Sequence, residues 1–113
     1  MLPDKGHLLR IYIGESDKKD GMPLYEWIVK QAREHGLAGA TVLKGLEGFG
    51  AHSRIHTAKI LRLSEDLPIV IEIVDTRENI ELFYPTIDEA IQEGLATLEQ
   101  VEIRFYRSGT NEE

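Results

Sequence analysis

The sequence contains no cysteine, which excludes disulfides, a thiolate nucleophile and zinc sites built from cysteine. It also lacks a long hydrophobic run, because the longest apolar stretch, LPIVIEIV, is far too short to cross a bilayer. Basic residues are scarce: 13 Lys and Arg stand against 20 Asp and Glu, a net charge of −7. This balance argues against binding to nucleic acid in general or to an anionic membrane surface, since both need a basic face.

The start of the chain, MLPDKGHLLRIYIG, lacks the apolar run and small-residue cleavage site of a signal peptide, so we expect a cytoplasmic protein. A length of 113 residues suits one domain, and a hydrophobic fraction of 42% is enough for a compact core. We therefore expect residues 1–113 to form a single domain, with a frayed tail over about 108–113.

The hydrophobic pattern predicts alternating strands and helices. Strands are expected where β-branched and aromatic residues are frequent, at residues 7–14, 38–46, 56–63, 67–75 and 99–106. The near-continuous apolarity of residues 67–75 predicts burial on both faces. Helical spacing of apolar residues predicts helices over 22–36 and 76–93, ended by Gly36 and Gly94, with a kink or break at Pro85.

The resulting order, β-α-β-β-α-β, predicts a ferredoxin-like α+β fold with an antiparallel sheet and both helices on one face. The residues expected on the other face of the sheet include apolar ones. A partner subunit is the expected cover for that face, because large apolar patches are seldom left in water.

Between the second and third predicted strands, the segment GLEGFGAHSRIHT spans residues 45–57. Gly45, Gly48 and Gly50 allow positive φ and close backbone approach, so successive N–H groups could form a concave anion nest. Residues 44–62 carry four basic residues and one acidic residue, a net +3, which leaves −10 for the rest. Such a cationic island concentrates small anions. A plain turn between strands would also use these glycines, and no P-loop signature follows, so both interpretations stay open.

Metal binding and catalysis are two further hypotheses for this chain. His52 and His56 would lie roughly 13 Å apart on an extended strand, so one ion could bind both only in a curled loop or between subunits. Glu15, Asp17 and Asp20 cluster in the first loop, but no catalytic-triad order appears. We expect neither a metal site nor an enzyme, and a metal-responsive trimer and a small hydrolase remain as alternative hypotheses.

The segments RIYIGESDKKDG and GLAGATVLKGLEGFGAHSRIHTAKILRLSEDLPIVIEIVD closely resemble a PII-like family catalogued as domain of unknown function 190. Through that family the chain is similar to the PII nitrogen-regulatory proteins, ferredoxin-like trimers that bind adenine nucleotides between subunits. Thr41-Val42 and Gly48-Phe49-Gly50 match a Thr-Val pair and the Gly-Phe-Gly that opens the PII effector loop, with one extra residue between them.

The resemblance further implies that Arg104 and Arg107 reach nucleotide phosphates across the subunit interface, although their spacing differs by one from that of the PII arginines. The PII loop that wraps the phosphates after the second helix corresponds to GLATLEQ, which has no lysine. The implied protein is a non-enzymatic homotrimeric regulator that binds AMP, ADP or a related small anion and needs no cofactor. It could also act on an unknown protein partner. The candidate ligand-binding residues are Thr41, Gly45, Gly48, Phe49, Gly50, His52, Arg54, Arg104 and Arg107.

Overall fold

The structure is a computed structural model, which describes residues 3–49, 55–57 and 66–109. The first half of the chain forms β1 (Lys5–Gly14), β2 (Lys18–Lys19), β3 (Met22–Pro23), α1 (Leu24–Glu34) and β4 (Thr41–Lys44). The second half forms β5 (Glu47–Phe49), β6 (Ile55–Thr57), β7 (Pro68–Asp75), α2 (Arg77–Ala90) and β8 (Leu95–Glu102).

Four strands form the main sheet, in the order β4-β7-β1-β8, and all neighbouring pairs are antiparallel. Ile11 at the centre of β1 lies opposite Ile71 of β7 on one side and Ala96 of β8 on the other. This order, with one helix in each half of the chain, is the ferredoxin-like α+β arrangement, so the predicted fold class is confirmed. Of the predicted strand 56–63, residues 56 and 57 belong to β6, which pairs with β5, and the rest lies outside the described residues.

The hydrophobic core lies between one face of the sheet and the two helices. Alternate residues of β1 and β7 point to this face and are buried, as the period of two in a strand requires. Full burial of each such side chain stabilises the fold by about 1.5–3 kcal/mol. The largest core residues are Leu9, Ile11, Ile71 and Ile73 of the sheet, Ile28 of α1, and Ile80, Phe83 and Ile87 of α2.

The last strand begins earlier than the sequence predicts. It spans residues 95–102 rather than 99–106, because Leu95 already lies opposite Tyr12 of β1. The predicted helix end at Gly94 is also wrong, since α2 ends at Ala90 and Gly94 lies in the connection. A Cβ at Gly94 would lie 2.5 Å from the carbonyl oxygen of Tyr12, so the close approach of this connection to β1 explains the glycine.

The first loop has more structure than its polar sequence predicts. Residues 18–19 and 22–23 form a small hairpin, so α1 begins at Leu24 rather than at residue 22. Its turn is made by Asp20 and Gly21, with φ angles of 52° and 82°, as a type I′ turn requires. The predicted glycine end of α1 is confirmed: Gly36 has a φ of 77° and donates its N–H to the carbonyl of Arg33.

Pro85 does not break the second helix, which runs from Arg77 to Ala90 through it. The proline is exposed, while Phe83 and Ile87 on either side are buried in the core. Packing of those neighbours therefore holds the helix on the sheet in spite of the N–H that proline lacks.

Candidate functional site

The glycine segment meets the start of β7 at Pro68. A Cβ at Gly45 would lie 2.8 Å from Cγ of Pro68, and one at Gly48 would lie 3.2 Å from the same atom. The backbone N–H of Gly45 donates to the carbonyl of Pro68 over 2.8 Å, so it is not free for an anion. Neither glycine has a positive φ. Close approach explains them, and the predicted role of positive φ at Gly45 and Gly48 is wrong.

The acidic first loop lies at the same end of the sheet and is tied to it by hydrogen bonds and an ion pair. Glu15 pairs with Lys44 at the end of β4, with 2.9 Å between Oε2 and Nζ. Asp17 accepts the backbone N–H of Gly14 over 3.1 Å. Asp66 accepts the N–H of Ser16 over 2.7 Å. These carboxylates hold the loop in place at this end of the sheet.

Burial and neighbouring carboxylates affect the pKa of Asp17 in the first loop. Partial burial raises the pKa of Asp17, and the neighbouring Asp66 and Glu93 raise it further, against the lowering effect of the Gly14 N–H. Within the described ranges, no group of three potential ligands among His, Asp and Glu is placed to hold a metal ion. Of the histidine pair considered for a metal, His52 lies outside the described residues.

The two candidate arginines of the last strand lie instead in an irregular segment after it. The N–H of Ile103 donates to the carbonyl of Asp4 over 2.7 Å, and the hydroxyl of Tyr106 donates to the carbonyl of Ala38 over 2.6 Å. Arg104 and Arg107 are exposed. The guanidinium carbon of Arg107 lies 4.2 Å from the centre of the Phe105 ring, a cation–π contact.

The glycine segment and the arginines lie at opposite ends of the sheet. Gly45 contacts Pro68, the first residue of β7, whereas Ile103 packs over Gly6 next to Asp75, the last residue of β7. Seven residue steps of about 3.3 Å separate these ends, or about 23 Å. Among the described residues, one chain therefore does not bring Gly45 and Gly48 together with the two arginines.

The remaining candidates lie on the edge strand β4 and in the glycine segment. Thr41 is exposed at the start of β4 and lies opposite Glu72. Phe49 ends β5 and lies opposite Ile55 of β6. Three further candidates, Gly50, His52 and Arg54, lie outside the described residues.

On the sheet face away from the helices, which we call the open face, the side chains are only partly buried within one chain. An apolar row crosses all four strands on this open face, formed by Leu43, Val70, Tyr12 and Leu95. Leu43 and Leu95, at the two ends of this row, are 48% and 56% exposed, so the row is partly open to solvent in one chain. Burial of residues 67–75 on both faces is thus incomplete within the chain, since Val70 is only half-buried.

A polar row lies beside the apolar one on the open face. Arg10 donates from Nε to Glu72 over 3.0 Å, and its Nη1 lies 3.6 Å from Glu99. The hydrogen bond and charge of Glu72 raise the pKa of Arg10, so this guanidinium is always charged. The open face therefore combines partly exposed apolar side chains with ion-paired charged side chains, and both kinds of residue occur in protein interfaces.

Sequence reasoning overlooked three residues that organise the two ends of the sheet. Asp66 braces the first loop, although fifty residues separate it from Ser16. Asp75 is buried beneath the start of α2, and an acidic residue directly before the Thr76 cap was a usable signal. Tyr106, between the two arginines, could have been noticed from its position alone.

The sequence of this chain is similar to those of proteins from other organisms. Residues 6–103 match the family model DUF190, described as an uncharacterised ACR. A UPF0166 protein of Aquifex aeolicus is 39% identical over 101 residues, which cover 89% of this chain and 95% of that protein. A UPF0166 protein of Methanocaldococcus jannaschii is 41% identical over 88 residues, covering 78% and 81%. The chain belongs to the DUF190 (UPF0166) family, as its sequence predicts.

Solved structures of PII-like proteins share the fold. The nitrogen regulatory PII-like protein CPII from Thiomonas intermedia K12, bound to ADP, AMP and bicarbonate, superposes with a TM-score of 0.60. It is 18% identical, with 88% of each chain covered. A PII-like signalling protein from Thermus thermophilus gives a TM-score of 0.63 at 15% identity, with 91% and 93% covered. In the described part of this chain, no helix is long and apolar enough to span a membrane.

Proposed function

We propose that this protein is a cytoplasmic PII-like regulator that assembles as a homotrimer and binds AMP, ADP or a related small anion between its subunits. Occupancy of the site would change the affinity for a partner protein. Partner and ligand would then strengthen each other's binding by the same factor, as linkage requires.

The separation of the two halves of the predicted site is the observation that carries this proposal. Gly45 and Arg104 lie near opposite ends of β7, about 23 Å apart along the strand, so one small ligand cannot reach both in one chain. A neighbouring copy packed on the open face could place its arginines beside the glycine segment. The half-exposed apolar row of Leu43, Val70, Tyr12 and Leu95 supports such packing.

The preference for AMP or ADP follows from the connection between α2 and β8. The expected counterpart of the PII phosphate loop, GLATLEQ, belongs to β8 from Leu95 onward, and the connection itself, residues 91–94, reads IQEG. Neither stretch contains a lysine or arginine. A triphosphate needs cations around its outer phosphates, and this connection supplies none. CPII, which shares the fold, was crystallised with ADP and AMP, and this supports the same class of ligand here.

A thermal-shift screen on protein purified without nucleotide or metal tests this proposal. AMP and ADP should raise the melting temperature in a saturable way, and Zn²⁺, Cu²⁺ and Mg²⁺ should change it little. At a ligand concentration of 100 times Kd, binding stabilises the protein by about 2.7 kcal/mol. For a domain of this size, that corresponds to a rise of roughly 10 °C or more. Saturable stabilisation by a metal alone would favour the metal-responsive trimer instead.

A further inference from the structure

Residues 103–107, which we call the tail segment, cross the end of the sheet and are fixed at two points. The first point is Ile103, whose N–H donates to Asp4 and whose Cδ1 lies 2.7 Å from the position of a Cβ at Gly6. The second point is Tyr106, whose hydroxyl donates to the carbonyl of Ala38 over 2.6 Å. Arg104 lies between the two points and Arg107 directly follows the second.

The second point rests on a rigid support. The N–H of Ala38 donates to Oδ2 of Asp75 over 2.8 Å, and Asp75 is 2% exposed. The other carboxylate oxygen of Asp75 accepts the N–H of Thr76 over 2.6 Å and the side-chain amide of Asn79 over 2.9 Å. Displacement of a buried carboxylate that accepts three hydrogen bonds would cost free energy, because those bonds would break. The Ala38 carbonyl that accepts from Tyr106 is therefore held in place.

From these contacts we infer that Tyr106 is a positioning residue, which holds Arg104 and Arg107 in the orientation that the ligand needs. The inference rests on the proposed function, in which these arginines contact phosphate from a neighbouring subunit. The side chain of Tyr106 is 53% exposed, so its burial contributes little to the core. The stacking of Arg107 on Phe105 depends on the same stretch of backbone. An arginine on a fixed backbone loses less conformational entropy when it binds.

The variant Tyr106→Phe removes the hydroxyl alone, and Tyr84→Phe on the exposed surface of α2 is the matched control. Hydrogen exchange measured by mass spectrometry reports the order of the tail segment without any ligand. Calorimetry with ADP on the wild type and both variants reports binding. We expect faster exchange over residues 103–107 and about fivefold weaker ADP binding in Tyr106→Phe, at an unchanged melting temperature. The control should match the wild type in all three measurements.

Two results would overturn the inference while leaving the proposed function intact. One is unchanged exchange in Tyr106→Phe, which would mean that the hydroxyl does not order the tail segment. The other is faster exchange with unchanged ADP binding, which would mean that the order does not matter to the ligand. A wild-type protein that binds neither AMP nor ADP overturns the proposed nucleotide binding and the positioning role together, and that result is read from the wild type alone.

Discussion

Arg10 and Glu72 form an ion pair across neighbouring strands on the open face of the sheet, with 3.0 Å between Nε and Oε2. Their side chains are 29% and 32% exposed in one chain. If copies of the chain cover this face, removal of Arg10 leaves Glu72 and Glu99 without their cation at the interface, a penalty larger than that of an exposed pair.

We therefore expect wild-type protein to have the mass of a trimer at micromolar concentration, and Arg10→Ala to dissociate at concentrations where the wild type does not. Light scattering coupled to size exclusion measures both. The control is Arg77→Ala, which removes an exposed pair with Glu81 on the surface of α2 and should leave the mass unchanged. A monomer mass for the wild type would contradict the account of the open face.

Replacement of Gly45 by alanine should destabilise the fold. The added Cβ would lie 2.8 Å from Cγ of Pro68, closer than ordinary contact, so the glycine segment or β7 must move. Overpacking of this kind costs about 1–3 kcal/mol in the free energy of unfolding, which denaturant titration measures. Gly39→Ala is the matched control, because nothing lies within 4 Å of its added Cβ. Equal stability of the two variants would show that Pro68 can move away from the added Cβ without lowering the free energy of unfolding.

The pKa of Asp17 predicts a pH-dependent effect on stability. The folded-state pKa is raised above the ordinary 3.8, mainly by burial and then by Asp66 and Glu93, so the folded protein favours the protonated carboxyl. The stability that this preference contributes is present below pH 3.8 and is lost as the pH rises through the folded-state pKa. Ionised Asp17 therefore weakens the fold at neutral pH.

Asp17→Asn should accordingly raise the melting temperature at pH 7, because the neutral amide avoids first the cost of a partly buried charge and then the repulsion. Its oxygen can still accept the Gly14 N–H. A gain of about 0.2–1 kcal/mol, typical of exposed charge interactions, corresponds to roughly 1–6 °C. The advantage should vanish in acid below about pH 3.8, where the wild-type carboxyl is also neutral. Asp88→Asn on the exposed surface of α2 serves as the control. A loss of stability at pH 7 would show that the hydrogen bond needs the full charge.

Divalent metals should have little effect on stability. On an extended strand His52 and His56 would lie roughly 13 Å apart, so one ion could bind both only in a curled loop or between subunits. We expect Zn²⁺ or Cu²⁺ to raise the melting temperature by less than about 5 °C, equivalent to roughly 1 kcal/mol. A larger saturable rise that His52→Ala or His56→Ala abolishes would instead support a metal-responsive protein.

The core and the fold class could be predicted from the sequence because their residues repeat with clear periods. Ile69, Ile71 and Ile73 alternate along β7, and Ile80, Phe83 and Ile87 share one side of α2. The start of β8 could not be predicted in this way. Its sequence LATLEQVE mixes apolar and polar residues and none of them is fully buried, so backbone pairing with β1, rather than burial, holds it in the sheet.

The site was harder to predict than the fold, because its contacts join residues that are far apart in the chain. The arginines could be selected by residue type and by resemblance, but sequence order does not reveal that Arg104 and Gly45 lie at opposite ends of β7. The hydrogen bond from the Gly45 N–H to the Pro68 carbonyl likewise depends on the register of β4 against β7, which no local pattern specifies.

The nucleotide ranking tests the central claim most directly, through calorimetry of the purified protein with AMP, ADP and ATP. We predict saturable binding, with AMP or ADP at least as tight as ATP, because residues 91–94 offer no cation to the outer phosphates. Arg104→Ala and Arg107→Ala should each weaken binding about tenfold or more without unfolding the protein, since a charged contact contributes roughly 1.5–3 kcal/mol. ATP bound at least ten times more tightly than ADP would contradict the predicted ranking, and no binding of any adenine nucleotide would contradict the proposed nucleotide binding.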